Sequence, residues 1–117
     1  MKEWKYNELT EAMKTNCYRF LSQNEGGNDA IVRTANEFTN MGKVEDVIVD
    51  VVIGELMIEQ EVGIESYMNA IGQRLRVFDV TTAKDELTEE ELKDLTHRIK
   101  NVLAGFKTLK VNSNKET

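Results

Sequence analysis

Glu55 and Glu59 stand four residues apart, and so do Glu61 and Glu65. On a helix that spacing brings carboxylates onto one face, an arrangement that general acid–base chemistry can use. The same spacing is also that of a solvated acidic face, and nothing nearby completes a catalytic set. His97 is the single histidine; it points away from the apolar stripe of its segment, with Asp94 three residues before it, and reads as a surface residue. A carboxylate-bridged metal pair in a helical bundle needs Glu-x-x-His twice, so no metal site is expected and a small metalloenzyme is the weakest reading. Cys17, the single cysteine, lies on an apolar face and reads as a small hydrophobe that cannot close an internal disulfide. Gly26-Gly27 lacks the lysine of a phosphate-binding loop. No cofactor is expected, and the chain reads as a non-enzyme.

The charge is unevenly laid out. Residues 1–43 carry six bases and six acids, and residues 80–117 carry seven of each. Residues 44–79 carry eight acids against Arg74 and Arg76, so the whole net charge of -6 sits on the middle of the chain. Direct nucleic-acid binding is disfavoured, since phosphate contacts need clustered Lys and Arg. A basic protein partner is favoured. Part of the acidity also serves solubility.

The element on which these acids sit is the greasiest in the chain. Ten of the fifteen residues 44–58, V-E-D-V-I-V-D-V-V-I-G-E-L-M-I, are large aliphatics. At a hundred degrees per residue they cover nearly the full circle, and a helix apolar all round belongs in the middle of a domain. Burying ten such side chains contributes on the order of 15–30 kcal/mol gross, most of it offset by chain entropy. A strand over Val47–Ile53 is the rival, because that run is rich in β-branched residues. It would need a partner strand, for which only Arg76–Thr82 is available, and Glu55–Glu61 continues as helix-forming sequence. The reading is therefore all-α: a compact bundle of about five helices around a central apolar helix over residues 44–62.

Four further helices complete the wall. The first covers Trp4–Leu21, with Tyr6, Leu9, Met13, Cys17 and Phe20 on one face. Gly26 and Gly27 supply the left-handed positions that end it. Asn28 or Asp29 caps a second helix reaching Met41, closed by Gly42; Gly63 closes the central one. The fourth carries Ile64, Tyr67, Met68, Ile71, Leu75 and Phe78 on one stripe, with Gly72 placed for close approach to the central helix. Asp79–Lys84 is a connection. Thr88 and Glu91 form a capping box, with Leu87 and Leu92 as staple, and start a last helix apolar at Leu92, Leu95, Ile99, Val102, Leu103, Phe106 and Leu109. Residues 1–111 read as one domain and residues 112–117 as a frayed tail. With no proline, no secretory leader and acids throughout the apolar run, the protein is expected to be soluble, cytoplasmic and not membrane-bound.

Residues 3–13, E-W-K-Y-N-E-L-T-E-A-M, resemble the opening of a family of bacterial immunity proteins, immunity-protein family three of the polymorphic toxin systems. The likeness continues through A-I-V-R-T-A-N-E-F and the long apolar helix E-D-V-I-V-D-V-V-I-G-E-L-M-I-E-Q, which Gly54 interrupts, covering roughly residues 3–60. The resemblance implies an all-α protein that binds and neutralises a cognate toxin, often a nuclease, inside the producing cell.

A nuclease cleft is basic because it holds phosphate, so an inhibitor covering it should present carboxylates. The candidate contact residues are Asp46, Asp50, Glu55, Glu59, Glu61 and Glu65, with Trp4 and Tyr18 as aromatic anchors. On an all-round apolar helix these acids cannot all share one exposed face, so some are expected to cap or pair within the fold. Trp4 and Tyr18, off the apolar face of their helix, either pack under a terminus or loop or stand free. The alternative function is a helical regulator or phage-encoded inhibitor that occupies the channel of a nucleic-acid enzyme.

Overall fold

The computed structural model describes the backbone of residues 4–116 and the side chains of residues 4–109. The chain forms α1 (Tyr6–Ser22), α2 (Gly27–Glu37), α3 (Lys43–Glu59), α4 (Glu65–Val77), a 3-10 turn (Val80–Ala83) and α5 (Glu89–Glu116). It is all-α, with no strand among the described residues. The frayed tail expected over residues 112–117 falls on side chains outside the described ones. No described helix is long and apolar enough to cross a membrane.

The central segment is a helix, and its apolar circle is used in every direction. Val44, Ile48, Val49, Val51, Val52, Ile53, Leu56 and Met57 are all buried, and α3 packs against α1, α2, α4 and α5. The possible partner strand, residues 76–82, is divided between the end of α4 and the 3-10 turn. Gly54 does not interrupt α3. It is buried in mid-helix, where an added Cβ would lie 2.6 Å from Val102 Cγ1 and 3.1 Å from Phe106. In return, Gly105 of α5 leaves room for Ile58 of α3, whose Cδ1 would clash with a Cβ there. The two glycines let two helix backbones approach closely along one seam. Gly72, expected to do this for α4, does not: a Cβ on it would meet only Arg76, at 3.6 Å.

Several helix ends differ from expectation, and the same physics explains them. Asn24, at φ 68°, takes the left-handed position after α1, with Glu25 N–H donating to Phe20 C=O and Asn24 N–H to Leu21 C=O. That is a Schellman closure using Asn, which tolerates the left-handed region. Gly26 and Gly27 are instead the cap and first residue of α2, and no side-chain bond from Asn28 or Asp29 caps it. Gly27 is needed because a Cβ there would press on Val62 at 2.7 Å. The second helix stops at Glu37 rather than Met41, and Gly42, at φ 140°, caps α3 rather than closing α2. The carboxylate of buried Glu45 folds back over Gly42, at the helix end where the dipole favours negative charge. The Thr88–Glu91 capping box forms as read: Thr88 N–H donates to Glu91 Oε1 at 2.9 Å and Glu91 N–H to Thr88 Oγ1 at 3.2 Å.

Cross-helix contacts set the direction of travel. Lys14 meets Glu55 and Tyr18 meets Glu59, so α1 and α3 run together. Arg98 meets Glu55 and Gly105 meets Ile58, so α5 rises the same way. The short connections turn α2 and α4 back against them. One end of the bundle thus gathers the C-termini of α1 and α3 with the N-termini of α2 and α4. The opposite end holds Trp4, the last turn of α2, the start of α3 and the 3-10 turn.

Candidate partner-binding surface

The eight candidate contact residues do not form one patch. Trp4 is half-buried and packs edge-on against Phe38, ring centres 6.3 Å apart, so its contact lies within the fold. Asp46 sits in the first turn of α3, where its Oδ1 accepts the Met41 N–H at 2.9 Å. Asp50 is clasped by Arg74 through both carboxylate oxygens, at 2.8 and 2.9 Å. These hydrogen bonds, ahead of all other causes, raise the Arg74 guanidinium above its ordinary value. Asp46 and Asp50 line a groove of about 610 Å³ between the end of α2, α3 and α4.

Glu55 is drawn further inward. Arg98 donates to it through Nε at 2.8 Å and Nη2 at 2.6 Å, while Nη1 reaches Tyr6 Oη at 3.0 Å and Thr10 Oγ1 at 3.2 Å. The Tyr6 hydroxyl in turn donates to Asp94 Oδ2 at 2.6 Å. Burial works against the charge on Arg98, but the hydrogen bonds and charge of Glu55 outweigh it and hold the guanidinium protonated beyond its usual range. Burial, then the bond to Asp94, pushes the Tyr6 phenol up. This network ties α1, α3 and α5 together. Nothing in the spacing marks its Arg98 and Asp94 arms, because Tyr6 reads as one more residue of the apolar face of α1.

The remaining four candidates share one end of the bundle. Glu59 is exposed in the last turn of α3, and its carboxylate accepts the Tyr18 hydroxyl at 2.8 and 2.9 Å. Tyr18 is 42% exposed, one of two large hydrophobics left open to solvent among the described residues. Burial and the Glu59 hydrogen bond push its phenol up to about 12. Glu61 follows in the joint to α4, and Glu65 opens α4; both are exposed. Asp46 and Glu59 are separated by about 20 Å of helix at 1.5 Å per residue, so the two groups of acids cannot meet the same small feature of a partner.

The C-terminus of α3 runs against its own stability, whereas Glu65 sits in the first turn of α4, where the dipole favours it. Glu59 and Glu61 stand at the C-terminus of α3, the negative end of the helix dipole, and no base lies in that last turn. Glu61 adopts φ 55° at the position where a Schellman closure favours glycine. Its N–H donates to Ile58 C=O and the next, Val62 N–H, to Met57 C=O. Gln60 anchors the joint from below, its Nε2 donating to the buried Cys17 sulfur at 3.3 Å. His97 is exposed, and no cluster of three or more metal-ligating side chains occurs among the described residues.

Among curated proteins and among solved structures the chain has no match. Residues 2–117 match the family model described as Immunity protein Imm3, and the chain belongs to that family.

Proposed function

We propose that this protein neutralises its cognate toxin by stoichiometric protein–protein contact, without chemistry of its own, and that the contact is made by the acidic end of the bundle. Membership of an immunity-protein family implies a toxin partner. The target proposed is a nuclease, whose basic cleft complements Glu59, Glu61 and Glu65, with Tyr18 as the aromatic anchor beside them. The observation that carries this reading is the pair of exposed carboxylates, Glu59 and Glu61, held at the wrong end of the α3 dipole, with Glu61 in a strained left-handed conformation. Residues kept in such a state against local preference concentrate at functional surfaces. Electrostatic steering then speeds capture, which matters when the partner is lethal to the cell that makes it. The site of action is the cytoplasm of that cell. Asp46 and Asp50 would join as a second contact only with a partner large enough to span the groove side of α3.

The test is co-expression with the product of the neighbouring toxin gene. Growth should be restored by the wild-type chain and a one-to-one complex recovered. A toxin that kills regardless, or a neighbouring product that is harmless alone, overturns the reading. A toxin neutralised equally well by a chain lacking these acids keeps the immunity function and removes the proposed surface.

A further inference from the structure

Where the 3-10 turn meets the first half of α5, three lysines and a histidine gather on the surface. A groove of about 480 Å³ lies there. Lys93, His97 and Lys100 line one wall, spaced so that they share a row along α5. Lys84 lines the other. All four are exposed, while Val80 and Leu92, half-buried against the core, supply an apolar floor. Acids stand close as well: Glu89 at the groove itself, Asp85 and Glu86 next to Lys84 in the chain, and Asp79, engaged by Thr81, whose hydrogen bonds, with Lys84 contributing, keep its carboxyl below the ordinary value. No ion pair ties down Lys93 or Lys100 among the described residues.

The shape of this charge selects its ligand. Lys93 and Lys100 are about 10 Å apart along the helix axis, so one phosphate or carboxylate engages both only by drawing two flexible side chains together. An extended peptide with acids at alternate positions repeats about every 6.6 Å and meets several at once. A nucleic-acid strand has comparable phosphate spacing, but the groove offers a base only the His97 ring to stack on, with no arginine and no larger aromatic. The net charge of -6 also opposes a long polyanion more than a short segment. We propose that the groove between the 3-10 turn and α5 docks an acidic peptide segment of a partner protein, with Lys84, Lys93, His97 and Lys100 meeting its carboxylates and Leu92 an apolar side chain between them. A basic nuclease cleft would be repelled here, so this contact is distinct from the one proposed for the toxin and stands without it.

The probe is a fluorescently labelled peptide of glutamates with leucine at every third position, titrated against the full chain at low salt. Saturable one-to-one binding is expected, weakened about tenfold by Lys93→Glu with Lys100→Glu, as two exposed charge contacts of about 0.5–1 kcal/mol each would give. Lys107→Glu, an exposed change on the same helix but away from the groove, should leave the affinity within about twofold. Glutamate is a good helix former at such positions, so the variants should keep the wild-type circular dichroism. Absence of saturable binding, an equal loss with Lys107→Glu, or equal competition by a single-stranded oligonucleotide of the same charge would each overturn the proposal. So would a wild-type dimer dissociated by the double substitution, because the occupant would then be a second copy of this chain.

Discussion

Arg98 holds Glu55 through two hydrogen bonds of 2.6 and 2.8 Å, and in doing so withdraws from the surface one of the six carboxylates that the charge pattern offers to a partner. The arginine side chain is 13% exposed and that of the glutamate 25%, so the pair is partly desolvated. Removing one member leaves Glu55 only Lys14 at 3.9 Å, or Arg98 only Asp94 at 3.9 Å as a counter-charge, with a cost of about 2–3 kcal/mol, below the fully buried range because water still reaches the pair. Glu55→Gln and Arg98→Met should each lower stability by that amount in urea unfolding, and the double variant should lose less than the sum. Toxin association should be unchanged for Glu55→Gln. A neutral effect on folding with a slower association would return Glu55 to the contact surface.

Glu61 reports the opposite balance. A glycine at φ 55° relieves the left-handed strain and removes a carboxylate from the negative end of α3. Glu61→Gly should therefore raise stability by about 1 kcal/mol while slowing capture of the toxin. Thermal unfolding and association kinetics on the same variant check both halves. A variant that is less stable would show that the side chain supports the fold.

The seam between α3 and α5 gives a contrast between glycines. Gly54→Ala drives a Cβ to 2.6 Å from Val102 Cγ1, a branched side chain fixed within its own helix. Overpacking should outweigh the gain in helix propensity and cost about 1–2 kcal/mol. Gly72→Ala meets nothing closer than the tip of Arg76 at 3.6 Å and should stabilise α4 by up to about 1 kcal/mol. Denaturant midpoints of the two variants should move in opposite directions. Movement in the same direction would contradict the packing described.

Tyr18 makes an alkaline prediction. Its phenol is pushed up to about 12 by burial and by the hydrogen bond it donates to Glu59. Because the folded value lies above the unfolded one near 10, the contribution of that bond is complete below about pH 10 and is lost as the pH rises towards 12. Absorbance of the phenolate should show a tyrosine titrating near 12 that disappears in Tyr18→Phe. A wild-type and a Tyr18→Phe curve that differ only by a group titrating at about 10 would remove the hydrogen bond in solution.

Much of the architecture can be read from residue types because one term dominates it. Ten large aliphatics in residues 44–58 require burial on every side, and burial on every side requires a surrounding wall. The Thr88–Glu91 box was legible for a similar reason: both bonds are local, so spacing alone specifies them. Helix ends were less so. Asn24 and Glu61 occupy the left-handed positions where glycines two residues further on were the obvious candidates, and Gly27 serves a tertiary contact instead, under Val62. The candidate surface was legible in its charge but not in its grouping. Whether an acid on α3 faces Arg74, Arg98 or open solvent depends on what α4 and α5 bring to it, and no spacing within α3 contains that information.

The most direct test is the association rate of toxin with wild-type protein and with the triple variant Glu59→Lys, Glu61→Lys, Glu65→Lys, measured from low salt to 1 M. The wild type should associate at least about tenfold faster at low salt. The gap should close at 1 M, where the screening length falls to about 3 Å. Equal rates at every salt concentration, from a variant that remains folded, would contradict capture through the acidic end of the bundle.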